Sequence, residues 1–171
     1  VTFTVCDLAR AYQPIGECVQ KICQDELETH VEIRREILRI LKSKYPNVIA
    51  MVNLDMVGRL NKDKDLTVGG VGTSPVFGEM IKKYKPAGFN LAIDSSGVGP
   101  SDHTSFYLKD IPVLFLFTGT HSDYHKPTDD TDKINMTGLK NITSYVFNLT
   151  NGLASEKNIP FTKTKISASK A

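Results

Sequence analysis

From residue 48 onward, short apolar runs alternate with stretches whose apolar positions recur every three or four residues. The run 48–54 is almost continuously apolar, the mark of a strand buried on both faces. Shorter runs at 66–70 and 89–93 predict two more strands. The run 111–117 is the most apolar in the chain and is expected at the centre of the sheet. Ser74-Pro75 opens a helix with a capping residue and a first-turn proline, burying Val76, Phe77, Met80, Ile81 and Tyr84. A short helix is expected around 101–108, and a last one buries Leu139, Ile142, Val146, Leu149 and Leu153. Upstream, Val19, Ile22, Cys23, Leu27, Val31, Ile37, Leu38 and Leu41 predict one long amphipathic helix or two short ones, stopped by Pro46-Asn47. Alternating strands and helices imply an α/β fold, a three-layer α/β/α sandwich with a mostly parallel central sheet. The expected divisions are a helical N-terminal segment over 1–45, the α/β unit over 46–153, and a polar, flexible tail over 154–171.

Composition narrows the function classes. The chain has 171 residues, 40% hydrophobic, enough for one domain with a real core. Lys and Arg number 21 against 19 Asp and Glu, and no long basic run occurs, so a nucleic-acid partner is not expected. The run 111–117 is far shorter than the roughly 20 residues a spanning helix needs, so no membrane insertion is expected. Cys6, Cys18 and Cys23 are an odd count, which argues against a closed disulfide framework. Cys18 and Cys23 would face different sides of one helix, a poor zinc knuckle, and all three read as incidental thiols. No signal-peptide pattern opens the chain, and its start at Val1 rather than Met leaves export open.

Three polar clusters follow predicted strands, where sites form in open α/β sheets. Asp55 directly follows the first strand, and a carboxylate there must be hydrogen-bonded, paired or metal-bound; a helix cap or an ion pair with Arg59 would also account for it. The second cluster runs from Ser96 to His103, where Ser101 or Asp102 is placed to cap the next helix. The third, 121–132, holds His121, His125 and four aspartates, a composition that suits either metal binding or a solvated acidic loop. No Gly-x-Ser-x-Gly elbow occurs to support a serine hydrolase.

Taken in order, four segments resemble one family. They are Asn53-Leu54-Asp55-Met56-Val57-Gly58-Arg59, Gly70-Val71-Gly72-Thr73-Ser74-Pro75, Gly99-Pro100-Ser101-Asp102-His103-Thr104-Ser105-Phe106, and His121-Ser122-Asp123-Tyr124-His125-Lys126-Pro127-Thr128-Asp129 with Asp132-Lys133-Ile134-Asn135. The order is similar to the C-terminal half of the dinuclear-zinc aminopeptidases of the bacterial leucyl aminopeptidase type, zinc-dependent exopeptidases. The resemblance implies a hydrolase holding two zinc ions, with Asp55 a ligand to one and His125 to the other. It implies that Tyr124 is catalytic, hydrogen-bonding the oxyanion, and that Asp102 and His103 fix the loop without binding metal. It also implies a secreted or periplasmic location.

The departure from the pattern is as informative. Family members carry a His-x-Asp motif, a bridging aspartate and a Glu-Glu pair upstream of the position of Asp55. Here the upstream histidine is His30, followed by Val31 and Glu32 inside the helical pattern, and no Glu-Glu occurs. Residues 46–153 therefore read as the C-terminal half of such a domain, with a peptide substrate once the site is complete. The isolated chain is expected to be inactive. The protein partner expected is the absent N-terminal half or another protein. The alternative is a non-catalytic protein-binding module on the same scaffold that has lost its metal site.

Overall fold

The computed structural model describes residues 39–40, 43, 48–63 and 65–164. The expected N-terminal helix, with Cys6, Cys18, Cys23 and His30, falls outside them apart from helical Arg39, Ile40 and Ser43. Among the described residues the order is β1 (Met51–Asp55), β2 (Asp65–Gly69), α1 (Phe77–Tyr84), β3 (Asn90–Ile93), α2 (His103–Tyr107), β4 (Val113–Phe117) and α3 (Met136–Ala154). Single 3-10 turns at Val57–Arg59, Val71–Thr73 and Thr131–Lys133 join them.

The sheet order is β1-β4-β2-β3, so the apolar run expected at the centre is indeed interior. β1 runs parallel to β4, with Met51 opposite Val113 and Asp55 opposite Phe117, and β2 runs parallel to β3. The middle pairing is antiparallel, Thr67 facing Phe117 and Gly69 facing Phe115. The sheet is thus mixed: two of its three pairings are parallel, as the pattern implied, and the middle one is antiparallel. The cause is the short link 56–64 between β1 and β2. A parallel return needs a crossover of a dozen or more residues, and this link is too short for one.

Period-two alternation sorts the strands onto two faces. Leu54, Leu66, Val68, Leu114 and Leu116 join Phe77 and Ile81 of α1 and Ile142, Val146, Leu149 and Leu153 of α3 in the larger core. Met51 and Val113 meet Phe106 and Tyr107 of α2 in a smaller core on the other face. Helices on both faces make the α/β sandwich that the pattern implied. Deep burial shields the Tyr145 phenol of α3, 2% exposed, and pushes its pKa up to about 12. No described helix is long and apolar enough to cross a membrane.

Capping departs from the sequence expectation at two helices. Ser74 Oγ accepts only a long 3.5 Å bond from Val76 N–H, and neither Val76 before α1 nor Asp102 before α2 caps with its side chain. By contrast Asn135 caps α3, accepting from Gly138 N–H at 2.8 Å while donating to Leu60 O at 2.9 Å. Past Ala154, where a flexible tail was expected, the chain still packs: Ile159 is 5% exposed within the larger core.

Two helix glycines make opposite predictions. A Cβ on Gly78 would meet nothing within 4 Å, so Gly78→Ala should stabilise the fold by about 0.5–1 kcal/mol. A Cβ on Gly138 would lie 2.8 Å from Leu60 Cβ, so Gly138→Ala should cost about 1–3 kcal/mol through overpacking. Thermal melts of the two variants should move in opposite directions from wild type.

Candidate active site

Asp55 is the last residue of β1, half-buried, and it does not pair with Arg59. Its Oδ2 accepts a 2.6 Å bond from Ser101 Oγ–H and a 3.2 Å bond from Asn53 Nδ2. Asn53 also donates to Ser101 Oγ at 2.8 Å, which closes a triangle of three side chains. Asn53 and Asp55 share a face because they are two apart on a strand. Asn53 is fully buried, and its Oδ1 has no hydrogen-bond partner among the described residues. On the neighbouring strand Phe115 sits opposite Asn53, and His103, 2% exposed, stacks on it with centroids 4.5 Å apart and planes 12° apart.

The second cluster therefore does different work from a helix cap. The hydroxyl of Ser101 is spent on Asp55, and Thr104 Oγ1 braces the loop by accepting from Gly99 N–H at 2.8 Å and donating to Gly99 O. Because β3 runs opposite to β1, this loop leaves the sheet at the far edge and must cross the α2 face to reach Asp55. The distance covered is roughly the length of β4, about 13 Å at 3.3 Å per residue.

The third cluster follows β4, whose carboxyl end lies beside that of β1, so Asp55 and His125 belong to the same sheet edge. Arg59, just after β1, ties that loop down: its Nη2 reaches Asp129 at 2.6 Å and Asp123 at 3.3 Å. Lys133 Nζ donates to Asp123 Oδ1 at 2.7 Å and to Thr128 O at 2.6 Å, while Thr128 Oγ1 donates to Asp123 at 2.8 Å. The hydrogen bond from Lys133, then that from Thr128, holds the Asp123 carboxyl well below the usual carboxylate range. The hydrogen bond from Arg59 lowers Asp129, and Asp129 in turn raises the Arg59 guanidinium. His121 Nε2 stands 3.8 Å from Asp129.

Tyr124 and His125 stack, with ring centroids 3.9 Å apart, on the exposed side of the loop. His125 has φ +55° and Met56, next to Asp55, has φ +61°. A non-glycine residue in the left-handed region costs about 1 kcal/mol or more, and such strain concentrates at functional sites. Asp102 stands at the first position before α2. Asn53, Ser101 and Arg59 are the contributors that pattern reading did not assign. The signal for Asn53 was its period-two spacing from Asp55; nothing local pairs Arg59 with residues 64 and 70 positions away.

Residues 36–150 match the model of peptidase family M28. The chain belongs to that family. No curated protein matches it by sequence comparison. Among solved structures it resembles the LapA aminopeptidase of Legionella pneumophila, at 24% identity and a TM-score of 0.59, over 72% of this chain and 35% of that one. It also resembles an aminopeptidase from Aneurinibacillus sp. strain AM-1, at 23% identity and 0.58, over 81% of this chain and 34% of the other. BSAP, a zinc aminopeptidase from Bacillus subtilis, aligns at 22% identity and 0.50, over 66% and 30%. These likenesses establish the fold, and the chain spans about a third of the length of each. It is a peptidase-type domain.

The Arg59 contacts make a pH prediction. Asp129 is depressed in the fold, so its contribution is complete above the unfolded carboxyl value of about 4 and is lost as pH falls through the lower folded value. Acid unfolding followed by circular dichroism should therefore steepen below about pH 4 in wild type relative to Arg59→Gln, the two converging at the acid end. Parallel profiles would mean that the pairing carries no stability.

Proposed function

We propose that this chain supplies Asp55 and His125, one carboxylate and one imidazole, to a two-zinc aminopeptidase centre, each serving a different ion. The observation that supports the reading best is the state of Asp55. It is a half-buried carboxylate whose hydrogen bonds from Ser101 and Asn53 both fall on Oδ2, at the sheet edge that also bears the loop of His125. Carboxylate oxygen and imidazole nitrogen are donors that zinc accepts. Among the described residues no three His, Cys, Asp or Glu side chains gather closely enough to hold an ion, so the centre draws further ligands from beyond them. When bound, zinc supplies Lewis-acid polarisation and an activated water.

The chain's own residues then have distinct roles. Ser101 and Asn53 fix the Asp55 carboxylate by occupying one of its oxygens. The Tyr124 phenol donates a hydrogen bond to the oxyanion that develops on the scissile carbonyl of a peptide substrate. Asp102 and His103 hold the 97–103 loop, His103 through its stacking on Phe115. On this reading the chain alone has no appreciable turnover, because a catalytic zinc needs about three protein ligands and a general base must be present.

Calorimetric zinc titration and a chromogenic aminoacyl-anilide assay on wild type, Asp55→Ala and His125→Ala test this. The expected result is weak binding of one ion through His125, with His121 or Asp123 as neighbour, lost in His125→Ala, and no turnover. Absence of zinc binding in every form would overturn the metal reading and leave a non-catalytic binding module. Two tight sites, with turnover abolished in both variants, would overturn the incompleteness.

A further inference from the structure

Residues 159–164 cross from one face of the sheet to the other. Ile159 lies in the larger core with Phe77 and Ile81, while Phe161 packs on the smaller core, its ring 5.4 Å from that of Tyr107. Directly after Phe161, Thr162 N–H donates to Thr73 O at 2.8 Å. At the end of this crossing Thr164 is held four ways. Its N–H donates to Tyr107 Oη at 2.9 Å, its Oγ1–H donates to the same oxygen at 3.2 Å, its carbonyl accepts from that hydroxyl at 3.2 Å, and its Oγ1 accepts from Gly97 N–H at 3.1 Å.

Under this strap, positions 72 and 97 have room for nothing larger than glycine. A Cβ on Gly97 would stand 2.2 Å from the Tyr107 ring and 2.7 Å from Thr73 Cγ2, and one on Gly72 would stand 3.1 Å from Thr164 Cγ2. Gly97 begins the stretch that crosses the α2 face, braced at Gly99 by Thr104 and ending where Ser101 donates to Asp55. Five residues separate the strap from a carboxylate at the opposite edge of the sheet.

We propose that residues 159–164 are a positioning strap for the site: Thr164 and Tyr107 clamp Gly97, and through the 97–101 loop they set the Ser101 hydroxyl on Asp55. Thr164 and Tyr107 are positioning residues that touch no reacting atom. The strap's bearing on catalysis rests on the metallopeptidase reading; its hold on Asp55 does not.

The test uses the full chain by NMR, with Thr164→Val, Thr164→Ser, Tyr107→Phe and Ser101→Ala. Thr164→Val removes the acceptor for Gly97 and should speed exchange of that amide roughly three- to tenfold, the size of one net hydrogen bond, with Thr164→Ser restoring it. The Asp55 carboxyl carbon should shift in Thr164→Val and Tyr107→Phe, return in Thr164→Ser, and no longer respond to Thr164→Val once Ser101→Ala is present. Faster Gly97 exchange with an unmoved Asp55 signal would reduce the strap to a structural tie and overturn the proposal, as would unchanged exchange. Zinc chloride added to wild type reports separately: a His125 imidazole signal that ignores zinc counts against the metal reading and leaves the strap as argued.

Discussion

A link the length of residues 56–64 is too short for the crossover that would set β2 parallel to β1 in one sheet, and the layout of the site follows from that limit. β2 is reversed, β4 inserts between β1 and β2, and the carboxyl ends of β1 and β4 come to one edge. Asp55 and the loop bearing Tyr124 and His125 share that edge without any special device. The price falls on the loop after β3, which starts at the wrong edge and traverses the α2 face to deliver Ser101. Gly97 suits this path because a Cβ there would collide with Tyr107, and at Gly99 one would press tightly on His103.

The face that this loop crosses is graded. At one end Met51, Val113, Phe106 and Tyr107 form a dry cluster. In the middle the His103 ring lies on Phe115, which stacks on Phe117, so a polar ring is buried on an aromatic surface. At the other end stands the Asn53–Ser101–Asp55 triangle. A half-buried carboxylate is tolerated there because two neutral donors serve one of its oxygens, whereas an unserved charge would be expensive. Asn53 spends both of its amide hydrogens on the triangle.

On the outer side of the same edge, the 121–133 loop is held by charge rather than by apolar burial. Arg59, Asp123, Asp129 and Lys133 form a connected set, and Thr128 adds a neutral donor. Isolated surface pairs contribute little, but a shared guanidinium and a doubly served carboxylate restrict the loop geometrically. That restriction is what can sustain His125 in a left-handed conformation, which a free loop would relax.

The sequence by itself determined the elements, their faces and the family. Near-continuous apolar runs marked β1 and β4, helical spacing marked α1 and α3, and ordered motifs around Asp55, Asp102-His103 and Tyr124-His125 pointed to a zinc exopeptidase half. These are local properties, carried by neighbouring residues and readable in a short window. Tertiary structure decided the antiparallel middle pairing, the diversion of Ser101 from helix cap to Asp55, the partners of Arg59, and the packing of 159–164. Each depends on residues tens of positions apart in the chain, Ser101 and Asp55 by 46 and Arg59 and Asp129 by 70. A hydroxyl or guanidinium has several partners open to it at equal chemical merit. Only the folded distances choose among them.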